Sequence, residues 1–115
     1  MHPITRIPLD AIEAARDRIS GTAIRTPLLP LEVPDAPCEV WLKLECLQPI
    51  GSFKIRGATN AMLLADPSEL ARGVYTGSAG NMAQGVAFSA RRLGVEARVI
   101  VPDTAPRTKL DAIVR

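Results

Sequence analysis

The chain has 115 residues, enough for one small domain with its own hydrophobic core, and its net charge of +2 with no basic cluster among aromatic residues argues against a nucleic-acid interface. No apolar run approaches the roughly 20 residues of a membrane-spanning helix, and Cys38 and Cys46 fit neither a metal-ligand spacing nor a disulfide framework. We therefore expect a protein of the reducing cytoplasm that binds no nucleic acid, membrane or metal, with its lone histidine, His2, solvated.

The first predicted element is a helix that begins at Asp10. Asp10 is the expected N-cap, and Glu13 completes a capping box three residues later. One helical face carries Ile12, Ala15 and Ile19, and Gly21 is expected at the C′ position. The segment 26–37 contains four prolines and is expected to be extended or looped.

A strand is predicted next, with one apolar face formed by Val40, Leu42 and Leu44. A helix follows Lys54 and presents an apolar face made of Ile55, Ala58, Met62 and Ala65. Asp66 and Pro67 then begin a short helix as N-cap and first residue, with Glu69 at the third helical position, and Gly73 ends it.

The second half of the chain alternates strands and helices. Residues 74–76 predict a short buried strand, and residues 77–81 a tight turn into a helix whose apolar face is Met82, Val86, Ala90 and Leu93. Arg91 and Arg92 suit the last turn of that helix, and Gly94 its C′ position. Residues 97–101 predict another strand, followed by a last helix after Pro106. This alternation predicts an α/β fold in which a parallel βα layer is flanked by helices.

Lys54 occupies an unusual position for a cation, since it falls in the first turn of a predicted helix. The helix dipole disfavours a positive charge there, and with partial burial it favours the neutral amine. A neutral lysine amine is what Schiff-base chemistry with a carbonyl cofactor requires. The alternative is a lysine whose charged end simply extends into solvent.

The turn at residues 76–81 has a second candidate function. Glycines allow close approach of a ligand to the backbone, and a helix N-terminus offers unpaired N–H groups to an anion. The alternative is an ordinary βα turn in which Asn81 caps the helix. A dinucleotide site is not favoured, because the third glycine of that fingerprint is missing.

Together these segments resemble a known family. Residues 42–45, Gln48, residues 52–58 and residues 78–85 are similar to the threonine/serine dehydratase branch of the pyridoxal-phosphate enzymes of the tryptophan-synthase-β type, also called fold type II. The resemblance runs from Arg25 to Pro106.

The resemblance implies a cofactor, pyridoxal 5'-phosphate, and a role for each matching residue. Lys54 would form the imine with the cofactor, Asn81 would bind its phenolic oxygen, and Phe53 would either pack near its ring or fill the core. The substrate carboxylate would lie on the loop Ser78, Ala79, Gly80, Asn81 and Met82, where Met82 replaces the usual histidine but keeps its backbone N–H. Gln84 would orient that loop, and Arg56 is expected to pair with a carboxylate.

The resemblance also implies an incomplete enzyme, since the family's phosphate loop matches nothing in this sequence. Residues 1–50 would contribute to the large domain, and residues 51–115 would start the small α/β domain. We expect the chain alone to be inactive and to bind the cofactor weakly, and the full-length enzyme to be a homo-oligomer.

The implied reaction is β-elimination from threonine or serine, which gives a 2-oxo acid and ammonia. Alternatives are a racemase, a threonine synthase or a β-replacement enzyme of the same family, or a non-enzymatic α/β fragment. In the family's serine racemases, a serine in the asparagine loop is a second acid/base group. The matching residue here is Ala79, which favours elimination.

Overall fold

The fold is described by a computed structural model of residues 6–114, so the interpretation of His2 concerns a position outside the described residues. The elements, in chain order, are α1 (Leu9–Arg18), β1 (Leu28–Leu31), β2 (Val40–Lys43), a 3₁₀ turn (Glu45–Leu47), α2 (Lys54–Leu64), α3 (Pro67–Leu70), β3 (Val74–Gly77), α4 (Asn81–Leu93), β4 (Ala97–Ile100) and α5 (Arg107–Val114). The predicted α/β class is confirmed. None of the helices in the described part of the chain has the length and apolarity to cross a membrane.

Two pairs of strands form in different ways. Strands β3 and β4 run parallel, with Val74 opposite Ala97 and Gly77 opposite Ile100, and α4 connects them. This confirms the predicted parallel βα layer. Strands β1 and β2 instead form an antiparallel pair in which Leu28 lies opposite Lys43.

The β1–β2 pair confirms one prediction and corrects another. Strand β1 lies inside the proline-rich segment 26–37, which is extended there as predicted, and Pro30 is accommodated because β1 has β2 as its only strand partner among residues 6–114. The single apolar face predicted for β2 is wrong, since Leu42 is 41% exposed and Leu44 lies beyond the end of the strand. No second layer covers these strands within the described residues, so apolar alternation produces no buried face.

The ends of α1 also differ from prediction. The N-cap is Pro8, and Asp10 is the second residue of the helix, where its carboxylate accepts the Ala11 N–H at 2.8 Å. The predicted capping box is therefore wrong, because the extended backbone of Pro8 already starts the helix two residues earlier. The C-cap is Ile19, so the C′ position belongs to Ser20 and the prediction of Gly21 there is wrong by one residue.

The predicted start of α3 and end of α4 are confirmed, and each has a local cause, whereas α3 ends with Ala71 as its C-cap, two residues before the predicted Gly73. Asp66 caps α3 by accepting the Ser68 N–H at 2.8 Å, and Pro67 is the first helical residue. Gly94 ends α4 with φ of 69°, a left-handed conformation that glycine adopts without strain. The basic residues of the last turn of α4 are Arg91 and Arg92, as predicted.

The core lies mainly between α2 and α4. One cluster contains Ala58, Met62, Val86 and Ala90, with Leu70, Val74, Val95 and Ala97 packed against it, and a smaller cluster contains Ile19, Ala23 and Ile55. The predicted apolar face of α2 is therefore confirmed at its first three positions. The face of α4 is shifted, because Met82 and Leu93 are each 37% exposed whereas Ala83 and Gly85 are buried.

The shift has a packing cause, since α4 meets α2 through its smallest residues. A Cβ atom added to Gly85 would lie 3.1 Å from the carbonyl oxygen of Lys54 and 3.2 Å from its carbonyl carbon. Further along the same contact, the buried hydroxyls of Thr59 and Ser89 hydrogen-bond to each other at 2.8 Å. Large side chains on this face would hold the helices apart.

Gly85→Ala is expected to destabilise the protein by about 1–3 kcal/mol, because the new methyl group meets backbone atoms that move only with the helix. Gly57→Ala is the matched control. Gly57 lies inside α2, a Cβ atom added to it would meet nothing within 4 Å, and alanine should stabilise the helix by up to about 1 kcal/mol. Urea unfolding of both variants measures the difference, and equal effects would contradict the packing argument.

Candidate active site

Lys54 is the first residue of α2 and is half-buried. Its backbone N–H donates to the Ser52 hydroxyl oxygen at 3.3 Å, and its Nζ lies 5.0 Å from the centroid of the Phe53 ring. Phe53 is 56% exposed, so it does not fill the core of the described residues. A primary amine therefore lies over the ring of an exposed aromatic side chain at the start of a helix.

The second predicted motif follows strand β3. The Ser78 N–H donates to the Ile100 carbonyl at 3.0 Å and so continues the pairing with β4. The Ser78 hydroxyl oxygen then accepts the Gly80 N–H at 3.1 Å, which closes a tight turn. Gly80 is the N-cap of α4, and the Gln84 N–H donates back to its carbonyl at 3.3 Å.

This geometry leaves a set of backbone donors at the start of α4. The N–H groups of Asn81, Met82 and Ala83 precede the first helical hydrogen bond, and such groups point out of the helix along its axis. Asn81 is exposed and is the first residue inside the helix, so the alternative interpretation of Asn81 as an N-cap is wrong. Ser78, Ala79 and Gly80 are half-buried beneath this end.

The contact at Gly85 brings the two motifs together. Gly85 follows Asn81 by four residues, which is about one helical turn or 6 Å along the axis. It packs on the carbonyl of Lys54, the first residue of α2. The start of α4 and the start of α2 are thus held at one end of the same helix pair.

Arg56 lies on the same first turn as Lys54 but contacts different residues. Its Nε donates to one oxygen of the Glu45 carboxylate at 2.8 Å, and its NH2 donates to the other at 2.7 Å. The same NH2 group also donates to the Ile24 carbonyl at 2.9 Å. The predicted pairing of Arg56 with a carboxylate is confirmed, and the carboxylate is Glu45.

Glu45 is the centre of a larger polar network. Its carboxylate also accepts hydrogen bonds from the Thr26 hydroxyl and from the Gln48 side-chain amide, the latter at 3.2 Å. The side-chain amide of Gln48 also hydrogen-bonds to the backbone of Ile24. The Ile24 N–H donates to Gln48 Oε1 at 3.0 Å, and Gln48 Nε2 donates to the Ile24 carbonyl at 2.8 Å. These donors, with the Arg56 guanidinium foremost, lower the pKa of Glu45 to about 2.

Sequence reasoning assigned no contacts to Glu45, Gln48 or Thr26, although it noted the first two as part of the motif. One signal could have found the carboxylate. The first turn of α2 holds two cations and no acidic residue, which opposes the helix dipole and requires a compensating carboxylate elsewhere. Gln84, expected to orient the loop, lies half-buried near Pro49 and Ile50 instead.

Replacement of Glu45 should change the acid stability of the protein. Because the pKa of Glu45 is lower in the folded state, its stabilisation is complete above the unfolded pKa of about 4.3 and is lost as pH falls towards 2. Glu45→Gln is expected to cost about 1.5–3 kcal/mol at neutral pH and to make unfolding less pH-dependent in that interval.

Glu96→Gln is the matched control for this measurement. Glu96 also accepts from an arginine, Arg98, at 2.9 Å, but its side chain is 65% exposed, so the change should cost no more than about 1 kcal/mol. Urea unfolding at pH 7 and at pH 3.5 compares the two variants. Parallel losses in both, or an unaltered acid dependence in Glu45→Gln, would contradict the role given to the network.

Comparisons with known proteins address the family directly. A family model described as "Pyridoxal-phosphate dependent enzyme" matches residues 19–115. The chain is 58% identical to a biosynthetic L-threonine dehydratase of Burkholderia multivorans over 74 residues, which cover 64% of this chain and 15% of that protein. It is 39% identical to a serine racemase of Dictyostelium discoideum over 115 residues, covering 98% of this chain and 36% of the relative.

A solved structure extends the similarity to the fold. The crystal structure of a pyridoxal 5'-phosphate-dependent aspartate racemase matches with a TM-score of 0.84 and 40% identity, covering 98% of this chain and 36% of that one. The chain therefore spans about a third or less of these relatives' lengths. It belongs to the pyridoxal-phosphate-dependent enzyme family of fold type II, whose members act on amino acids by more than one reaction.

Proposed function

We propose that the protein is a pyridoxal-phosphate-dependent ammonia-lyase that acts on threonine or serine, and that this chain supplies its lysine and its carboxylate-binding loop. The observation that carries the proposal is the contact at Gly85, which holds a half-buried amine and a set of outward-pointing N–H groups at one end of two packed helices. The identity of 58% with a threonine dehydratase supports the choice of reaction.

The residues at this end fit the chemistry of the cofactor. The Lys54 amine lies beside an open aromatic ring, and would hold the aldehyde carbon covalently. The exposed side chain of Asn81 carries an amide donor suited to the phenolic oxygen. When bound, the cofactor supplies a conjugated ring that takes up the negative charge left on the substrate Cα.

Other groups of this chain would bind and deprotonate the substrate. The N–H groups of Asn81 and Met82 are placed to donate to a carboxylate, and the positive end of the α4 dipole favours an anion there. The exposed Met82 side chain leaves its N–H available. Once the amine of the substrate has displaced Lys54 from the cofactor, the free Nζ of Lys54 would take the Cα proton as general base.

Racemisation is the second candidate reaction, favoured by the similarity to serine and aspartate racemases. It needs an acid/base group on the substrate face opposite the lysine, and the Ala79 methyl group cannot serve. The neighbouring Ser78 hydroxyl oxygen accepts the Gly80 N–H, which holds this side chain in the turn. Elimination requires no such group, which is why we favour it.

The remaining assignments are parts of the same proposal. Both cysteines are free and exposed, which favours the reducing cytoplasm. We further propose a homo-oligomer, a small amino acid as the substrate, and a domain boundary near Ile50 and Gly51. Threonine synthase and β-replacement chemistry have no specific observation in their favour.

In the full-length enzyme, Lys54→Ala is expected to remove specific covalent attachment of the cofactor and to abolish turnover, because the amine at the helix start is absent. The test is incubation with pyridoxal phosphate, borohydride reduction and peptide mass mapping. Lys109→Ala is the control, since that lysine lies in α5 and should leave the Lys54 adduct unchanged. Ammonia release by Lys54→Ala above background, or adducts distributed equally over the lysines, would contradict the assignment.

Ala79→Ser is expected to raise racemisation relative to elimination, because it places a hydroxyl in the substrate loop. Ala79→Gly is the control, since it alters the same position without adding a hydroxyl. The ratio of D-serine to pyruvate from L-serine, measured by chiral chromatography, decides the point. These reactions are measured with the full-length enzyme, and if its unmodified form makes D-serine as fast as pyruvate, the proposed reaction is wrong.

A further inference from the structure

We propose that Glu45 and Arg56 are positioning residues for Lys54, which fix the direction of its side chain through the first turn of α2. The inference rests on the proposed role of Lys54 and adds the device that orients it. It is carried by the contacts of that turn, where the usual stabilisation of a helix start is replaced by an ion pair from outside the helix.

The first turn of α2 is poorly stabilised by its own sequence. Its N-cap, Phe53, offers no side-chain hydrogen bond, and the turn contains no acidic residue. The Ser52 hydroxyl accepts the Lys54 N–H at 3.3 Å, which is a long hydrogen bond. Two cations in this turn oppose the helix dipole. Such a turn is expected to fray unless something else holds it.

Arg56 holds the turn through its side chain. The guanidinium donates hydrogen bonds to both carboxylate oxygens of Glu45 and to the Ile24 carbonyl, at distances from 2.7 to 2.9 Å. A bidentate pair of this kind fixes orientation as well as distance, since both groups are planar. The side chains of the pair are 32% and 16% exposed, so water screens them only in part.

Lys54 is fixed in turn because it shares the turn with Arg56. Each residue of an α-helix is rotated by about 100° from the one before it, so Arg56, two residues after Lys54, is rotated by about 200°. The anchored side chain of Arg56 therefore leaves the helix nearly opposite to that of Lys54. Between them Ile55 is fully buried. The backbone of Lys54 also packs on Gly85. Rotation or fraying of the turn would therefore displace the amine directly.

The experiment measures the rate at which pyridoxal phosphate attaches to Lys54 in the full-length protein, relative to attachment at Lys109 in the same sample. Nζ adds to the aldehyde carbon and water leaves, and borohydride reduction traps the product for mass analysis. The ratio is read without turnover, at a temperature where circular dichroism shows each variant folded.

Glu45→Gln and Arg56→Lys are each expected to lower the Lys54-to-Lys109 rate ratio about tenfold, because the planar charged grip is lost. Glu96→Gln, which removes an exposed carboxylate from a comparable pair, should leave it within about twofold. Thr26→Val removes one of the four hydrogen bonds to Glu45 and is expected to lower the ratio about threefold.

The possible outcomes distinguish failure of the proposed function from failure of the positioning role given to Glu45 and Arg56. If unmodified protein forms no preferred adduct at Lys54, the proposed function is wrong, and the inference that rests on it is wrong as well. If the adduct forms but folded Glu45→Gln and Arg56→Lys keep the ratio unchanged, only the inference is overturned, even where their stability falls. If both variants fail to fold, Thr26→Val decides, and an unchanged ratio there overturns the inference.

Discussion

The missing side chain of Gly85 allows α4 to touch the backbone of Lys54, and most of the structure depends on this contact. It sets the distance between α2 and α4, so that small residues such as Ala58 and Ala90 suffice to fill the core between them. The same contact explains why the buried face of α4 contains Ala83 and Gly85 rather than the larger apolar residues nearby. Close packing and the juxtaposition of the two motifs have one cause.

A polar network complements this apolar contact from the other side of α2. Glu45 joins three stretches of chain, since its partners come from the segment before β1, from the turn after β2 and from α2. Removing a carboxylate from water is costly unless its oxygens are paired, and here each oxygen accepts two hydrogen bonds. Apolar packing at Gly85 sets the spacing of the helices, whereas the network sets the rotation of one of them.

How far the sequence predicted this structure depends on whether the cause was local. Asp66 and Gly94 were assigned correctly because capping and left-handed turns involve a few adjacent residues. Asp10 was misassigned because Pro8 offered an equally local start that the capping pattern obscured. The contacts of Glu45 could not be read from the pattern, since its partners lie up to 19 residues away along the chain. Lys54 and the Asn81 loop were recognised by resemblance, and their juxtaposition emerged only from the packing at Gly85.

The comparisons and the loop geometry bear on different parts of the function. Dehydratases and racemases both align with this chain. The proposed roles of Lys54 and the Asn81 loop are compatible with both, because a lysine and a set of backbone donors would serve any reaction that begins at the Cα of an amino acid. Shared fold and high identity therefore establish the family without choosing the reaction. Under the proposed function, the choice would depend on which groups reach the second face of the substrate, and the residues of this loop to compare are Ala79 and Ser78. We propose elimination because the Ala79 methyl group can transfer no proton and the Ser78 oxygen is held in the turn by the Gly80 N–H. Without a second proton-transfer group from this loop, loss of the β-hydroxyl would outrun return of a proton to the opposite face of the substrate.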